Sequence, residues 1–292
     1  MAVAAALLLA GCGGISSAST TGVSVVASEN FWGSIASQIA GKQAHVQSII
    51  TNPAEDPHSY EPTANDARTM ATAQLAIVNG VGYDPWAPRL LNANPDGARI
   101  VLTVGKLFGL HDGDNPHRWY DPAEVDAVAK DIAEDLSKLD PSNADYYARQ
   151  LRSFRTSGLA RYHQLIAQIG ARYAGTAVGA SESIFALLAP ALRLELTTPP
   201  SFMKAISEGA EVSAQDTIAT QEQLVRHQVA VWIYNSQNAT PQIQRLNALA
   251  RANHIPVATV TETLSPAAAS FEQWQVAQLQ NLERALHEAT GR

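Results

Sequence analysis

The chain has 292 residues, 46% of them hydrophobic and 16% charged, which is enough apolar material for one large core or two smaller ones. A formal charge of −7 and an isoelectric point near 5.6 argue against a nucleic-acid partner, because phosphate binding needs a basic face. The only cysteine, Cys12, excludes an intrachain disulfide and a thiolate metal cluster.

Ala2 to Ala10 is an apolar run too short to cross a bilayer as a helix. It ends in Leu9-Ala10-Gly11-Cys12, which resembles a bacterial lipobox, where the signal is cut before a cysteine that then carries lipid. Gly13 to Gly22 is rich in Gly, Ser and Thr, the composition of a flexible tether. Val23 to Ser28 predicts a first strand, and a helix follows from Asn30 to Ile39 with Gly41 closing it. A second strand is expected over Val46–Ile50. Thr63 then caps a helix with Asp66 at its third position. A third strand over Leu75–Gly80, a helix over Pro85–Leu91 and a fourth strand over Arg99–Val104 complete a βαβα alternation. That alternation predicts a parallel sheet with helices on its faces. Asp121, Pro122 and Glu124 open a further helix that runs to about Leu139.

From Asn143 to Tyr173 the apolar positions recur three or four apart without a proline. About thirty helical residues span roughly 45 Å, long enough for a strut between two domains. Beyond Gly175 the alternation restarts. Strands are expected over 176–180, 192–197, 229–234 and 256–260, and helices over 182–188, 214–227, 241–252 and from about Ala268. Residues 198–214 are expected to be irregular. The fold class predicted is therefore α/β: two Rossmann-like lobes with parallel sheets, joined by one long rigid α-helix. The boundaries are 1–22 for signal and tether, 23–140 for the first lobe, 141–174 for the linker helix and 175–292 for the second lobe.

Two loops carry the chemistry. Asp56-Pro57-His58-Ser59-Tyr60-Glu61-Pro62 holds an imidazole between carboxylates in a segment closed by prolines, and Asn115-Pro116-His117-Arg118-Trp119 echoes it. Histidine is the commonest metal ligand, and its second ring nitrogen needs an acceptor. Sites in open α/β sheets form beyond the carboxyl ends of strands. At that place in the second lobe stand Glu182, after strand 176–180, and Glu262, after strand 256–260. Two imidazoles from one lobe would face two carboxylates from the other, a set that neutralises a divalent cation.

These motifs resemble the metal-binding lipoproteins of ABC importers for zinc or manganese, in the group with a single helical linker. The resemblance covers nearly the whole mature chain, including Cys12 and the long linker helix, and Tyr83-Asp84-Pro85-Trp86 shares it. It implies His58, His117, Glu182 and Glu262 as the ligands of a transported Zn2+ or Mn2+, with iron ranked third. It also implies a permease and its ATPase as partners, a lipid on Cys12 holding a monomer at the outer face of the cytoplasmic membrane, and no catalytic role. Asp56, Tyr60 and Asp121 are candidates for orienting the imidazoles. A lipoprotein of this architecture could alternatively bind an organic metal chelate or serve as a surface adhesin. The region before His117 is short, and His111 reads as a surface residue; His45, His163, His227, His254 and His287 read as structural or solvated. No His-Glu-x-x-His and no Gly-rich phosphate loop with a lysine occurs, so hydrolase and nucleotide-binding readings lack their motifs.

Overall fold

The computed structural model describes residues 22–292. The expected lipobox at Cys12 and the tether up to residue 21 lie outside the described residues. The first lobe runs β1 (Val23–Glu29), α1 (Asn30–Ala40), β2 (Ala44–Ile50), α2 (Ala64–Ala71), β3 (Leu75–Val78), α3 (Trp86–Ala93), β4 (Ile100–Thr103), α4 (Val104–Leu107) and α5 (Pro122–Leu139). Its sheet is parallel in the order β2-β1-β3-β4, with Val25 opposite both Val46 and Leu75. The inner strand β3 is apolar throughout, and β1 is buried at every position but Ser24, because both sheet faces are covered. Val25, Ala27, Leu75 and Ile77 join the large core under α1 and α5. Val26, Ala76 and Val78 pack with Met70, Trp86 and Leu91 on the other face.

The helix starts follow from side-chain chemistry. Thr63 accepts from the Asp66 N–H while Asp66 reaches back to the Thr63 N–H, the reciprocal arrangement expected of that spacing. Asp121 caps α5 by accepting from the Ala123 and Glu124 N–H groups. Glu124 does not close a second reciprocal box; it pairs with Arg118 instead.

From Ala144 the chain stays helical nearly to its second sheet, as α6 (Ala144–Ser153), a π turn over Phe154–Gly158, and α7 (Ala160–Arg172). The connecting helix is therefore present but not uniform. The Leu159 N–H bonds to the Phe154 carbonyl at 2.8 Å, five residues back. The wider turn lets Phe154, Leu159 and Tyr162 all stay buried.

The second lobe comprises β5 (Ala177–Ala180), β6 (Glu195–Leu196), α8 (Pro200–Ser207), α9 (Ala214–Val225), β7 (Val231–Asn235), α10 (Pro241–Ala252), β8 (Val257–Val260) and α11 (Phe271–Thr290). Its sheet repeats the order of the first, β6-β5-β7-β8, again parallel. Three local expectations need correction. The stretch 198–214 contains α8, with Pro200 in its first turn and Phe202, Met203 and Ile206 buried. The strand expected over 192–197 shrinks to the two-residue edge strand β6, which pairs only with β5. Ser183–Leu187 forms a 3-10 turn where an α-helix was expected.

The lobes share one apolar core that includes Phe31, Trp119, Leu165, Trp232 and Phe271. Polar bonds fasten α1 to the second lobe: the Phe271 N–H donates to Ser34 Oγ at 2.9 Å, the Leu264 N–H to Asn30 Oδ1 at 3.2 Å, and Gln38 Nε2 to Glu272 Oε2 at 2.9 Å. The loops beyond the strand ends of both sheets meet in a cleft.

Candidate metal centre

His58 sits in a 3-10 turn over Pro57–Ser59. Asp56 shapes this turn, accepting from the His58 N–H at 2.9 Å and from Ser59 Oγ at 3.0 Å. His117 stands before another 3-10 turn, Arg118–Tyr120, whose Trp119 and Tyr120 are buried. Asn115 Oδ1 accepts from the His117 N–H at 3.1 Å and lies 2.8 Å from His117 Nδ1. Asn115 Nδ2 is committed across the cleft to the Ser183 carbonyl at 2.8 Å, so its oxygen must face the imidazole. His117 therefore carries its proton on Nδ1 and directs the Nε2 lone pair away from Asn115.

Glu262 follows β8 and is buried. Its Oε2 accepts from the Tyr83 hydroxyl at 3.0 Å and its Oε1 from Asn235 Nδ2 at 2.8 Å. Glu182 follows β5, is 1% exposed, and accepts from the same Asn235 Nδ2 at 3.1 Å through Oε2. The structure brings donor atoms of His58, His117 and Glu262 within 4.8 Å of one another. Glu182 is not part of that trio; it stands beside Glu262, joined to it through one amide. Among the described residues, His58 Nε2, His117 Nε2 and Glu182 Oε1 are buried without a hydrogen-bond partner. Buried polar atoms are ordinarily satisfied. Two unpartnered imidazole nitrogens converging with the Glu262 carboxylate, and a free Glu182 oxygen beside that carboxylate, fit a cation of the hardness that nitrogen and oxygen donors hold.

The electrostatics agree with that fit. Burial pushes the His117 pKa well down, helped by His58 and Arg118, so the ring is neutral at neutral pH. Burial also lowers His58, against the charges of Asp56 and Glu208. Burial raises Glu182, with the Glu262 charge adding to it. Glu262 is pushed up to about 7, mainly by burial, with the Tyr83 and Asn235 donors opposing.

A cavity of about 320 Å³ adjoins His58, with Val81 and Pro116 on one wall and Ser183, Met203 and Lys204 on the other. Lys204 Nζ closes its rim by donating to the Gly113 carbonyl at 2.7 Å. His58 is half-buried whereas His117, Glu182 and Glu262 are buried, so His58 is the most exposed of the four. The other six histidines, including His111, are exposed.

Sequence reasoning placed Asp56, Tyr60 and Asp121 near the imidazoles as orienting groups, and the structure gives them other work. Asp56 caps the 3-10 turn at His58, Asp121 caps helix α5, and the Tyr60 hydroxyl donates to Asp66 Oδ2 at 2.9 Å. The residues that do orient donors are Asn115, Tyr83 and Asn235. Asn115, two places before a histidine in a Pro-His loop, and Tyr83, in the Tyr83-Asp84-Pro85-Trp86 stretch, had a local signal; Asn235 had none.

Behind Tyr83 lies a second acidic pair. Glu29, at the end of β1, is fully buried against Asp84, which accepts from the Asn79 and Gly80 N–H groups at 2.9 and 2.8 Å. Burial, then the charge of Asp84, raises the Glu29 pKa well above its ordinary value. The folded state thus keeps a proton that the unfolded chain releases above about pH 4.3. Stability from this site falls as pH rises from there toward the raised folded value. Glu29→Gln keeps the shape without the titration. In metal-free protein it should melt higher than the wild type at pH 8, with the gap closing by pH 4. Thermal melts across that range check this, and a wild type equally stable at pH 8 contradicts it.

The sequence profile of the family described as zinc-uptake complex component A, periplasmic, matches residues 25–285. The manganese-binding lipoprotein MntA of Halalkalibacterium halodurans is 30% identical over 155 residues, 51% of this chain and 51% of that one. The iron-binding protein YfeA of Yersinia pestis is 27% identical over 241 residues, 79% of this chain and 67% of that one. For the first of these, as for most of the similar lipoproteins, the match spans about half the length of the curated relative. Among solved structures, the protein FpvC of Pseudomonas aeruginosa in complex with Mn2+ superposes with a TM-score of 0.73 at 23% identity, covering 92% of this chain and 99% of that one. That likeness shows the shared two-lobe fold.

Proposed function

The chain belongs to the family of periplasmic zinc-uptake complex component A proteins, and from that membership we propose that it is the substrate-binding component of an ABC importer. It captures a divalent transition-metal ion between its lobes and hands it to a membrane permease driven by an ATPase. The observation that carries this reading is the convergence of His58, His117 and Glu262 donor atoms within 4.8 Å, with both Nε2 atoms unpartnered. Glu182 supplies the fourth donor through its free Oε1. Two neutral imidazoles and two carboxylates balance a doubly charged cargo. Four protein donors suit a carrier and leave no open position of the kind a catalytic metal keeps. The set lacks a thiolate and suits manganese, whereas intrinsic affinity favours zinc. Zinc therefore binds tightly in the test tube, zinc and manganese rank level as cargo, and iron comes third. Relatives named for manganese and for iron support that spread. The protein works as an exported monomer, held at the outer face of the cytoplasmic membrane by a lipid on Cys12. Among the described residues no helix is long and apolar enough to cross a membrane.

Capture displaces protons, and burial decides which. Solvent-exposed histidines would carry that proton near neutral pH. The lowered pKa values of His58 and His117 make them neutral already, so the competing proton sits on the carboxylates, with Glu262 raised to about 7. Below that pH the cation must expel a proton, and apparent affinity should fall about tenfold per pH unit for each proton displaced. Competition titrations with Zn2+ between pH 5.5 and 8 measure this; a flat profile contradicts it.

Anomalous scattering at the zinc and manganese edges, from protein purified without added metal, tests the reading together with rescue of a deletion strain by each metal. Protein that takes up neither ion, nor iron, under saturating conditions would end it. Mass spectrometry of the native N-terminus tests the anchor, and a chain still beginning at Met1 without lipid would remove it.

A further inference from the structure

We propose that Asn235 and Gln237 are positioning residues for the metal centre: they set the two carboxylates and tie the Glu262 loop to the His58 loop across the cleft. This rests on the metal-capture reading above. Asn235 ends β7 and is fully buried. In the sheet β7 lies between β5 and β8, the strands that lead to Glu182 and Glu262. Its Oδ1 accepts from the Gln237 N–H at 2.9 Å, which fixes the amide and turns both Nδ2 hydrogens toward the acids. Nδ2 lies 3.1 Å from Glu182 Oε2 and 2.8 Å from Glu262 Oε1. An NH2 group has two hydrogens, so one amide serves both carboxylates. It offsets the repulsion between them and leaves Glu182 Oε1 free to bind.

Gln237 continues the construction. Its Oε1 accepts from the Glu262 and Thr263 N–H groups at 2.6 and 3.0 Å. Its Nε2 donates to Thr263 Oγ1 at 2.8 Å and, from the other lobe, to the Pro53 carbonyl at 2.7 Å. Pro53 lies in the loop that leads to His58. The first lobe repeats the device. Asn79 follows β3, which holds the same place in its sheet as β7 does in the other. Asn79 is fully buried, accepts from Trp32 Nε1 at 3.0 Å, and donates to the carbonyl of Pro116, next to His117, at 3.0 Å. Both lobes thus place a buried asparagine at the same strand end, after Ile77-Val78 in one and Ile233-Tyr234 in the other, each bonded to a donor residue or its neighbour.

The test uses the purified chain stripped of metal, with Asn235→Ala, Gln237→Ala and the control Ser236→Ala, whose hydroxyl makes a single 3.5 Å contact with the Val260 carbonyl. Zn2+ and Mn2+ affinities come from competition titration, and the coordination geometry from the visible d–d absorption of bound Co2+. Asn235→Ala should weaken binding by about 10- to 100-fold, the usual effect of losing an outer partner of a ligand, and should change the cobalt band, because the carboxylates reorient. Gln237→Ala should weaken binding by about tenfold or more. Ser236→Ala should match the wild type in both. Wild-type affinity and an unchanged cobalt band in Asn235→Ala would overturn the proposal. If that variant does not fold, Gln237→Ala decides, and wild-type affinity there overturns it equally. A wild type that binds no metal would defeat the metal-capture reading itself, whereas a metal-binding wild type with indifferent variants would defeat this inference alone.

Discussion

Replacing His117 by alanine should lower Zn2+ affinity by more than about 100-fold, since loss of a ligand exceeds the 10- to 100-fold effect of losing a ligand's partner. Three features single out this residue. It is fully buried, so no surface side chain can swing in to replace it. Its ring is held by Asn115 at 2.8 Å with Nε2 unpartnered, so the lone pair is already aimed before the ion arrives. Its neutral state persists well below pH 6.5, so no proton competes at the nitrogen. Asn115→Ala should fall between His117→Ala and the wild type, because it frees the ring without removing it. His111→Ala should change nothing, as that side chain is exposed and remote in role. Binding only to the folded state raises the melting temperature, so added Zn2+ should stabilise the wild type strongly and His117→Ala little. Wild-type affinity in His117→Ala would dismiss this residue from the site.

Much of this architecture could be read from the chain because the governing signals are local. The Pro-bounded segments around His58 and His117 announce shaped loops, and the runs 75–78 and 231–234 announce strands covered on both faces. Glu182 and Glu262 are legible because each stands just past a strand end, where sites in open α/β sheets form. The contacts that went unseen work over long sequence distances. Tyr83 meets Glu262 across 179 positions, and Asn235 joins acids 27 and 53 positions away. No periodicity marks a single tyrosine or asparagine for such a task. Helix α8 escaped for another reason: two prolines precede three buried apolar residues in a segment of eight, and so short a pattern resembles a loop. The π turn at Phe154–Gly158 escaped because one inserted residue leaves the helical repeat almost unchanged over thirty positions. Burial also reversed one chemical expectation. A solvent-exposed histidine titrates near neutral pH, but here desolvation moves the titration from the imidazoles to the carboxylates.

Trp119→Ala should cost about 3–5 kcal/mol of folding stability, the range for deleting a buried tryptophan. The residue comes two positions after His117 and is fully buried. Its ring stacks on Phe31 with centroids 3.9 Å apart and an interplanar angle of 23°, and Tyr83 lies at 4.9 Å. His117 packs edge-on against it at 5.3 Å. Among the described residues its Nε1 has no hydrogen-bond partner, so the loss is one of packing and cavity formation. For a chain of this size the apo melting temperature should drop by roughly 10 °C. The same cavity removes a wall from both His117 and Tyr83, so metal affinity should fall as well, although no donor has been touched. Trp119→Phe separates the two effects: a smaller ring that still stacks on Phe31 should recover most of the stability. Because His117 stays anchored by Asn115, it should recover affinity in parallel. Denaturant titrations of metal-free protein, paired with Zn2+ competition, measure both quantities. A Trp119→Ala loss below about 1 kcal/mol, far under the range for such a site, would mean that the aromatic cluster does not support the ligand loop.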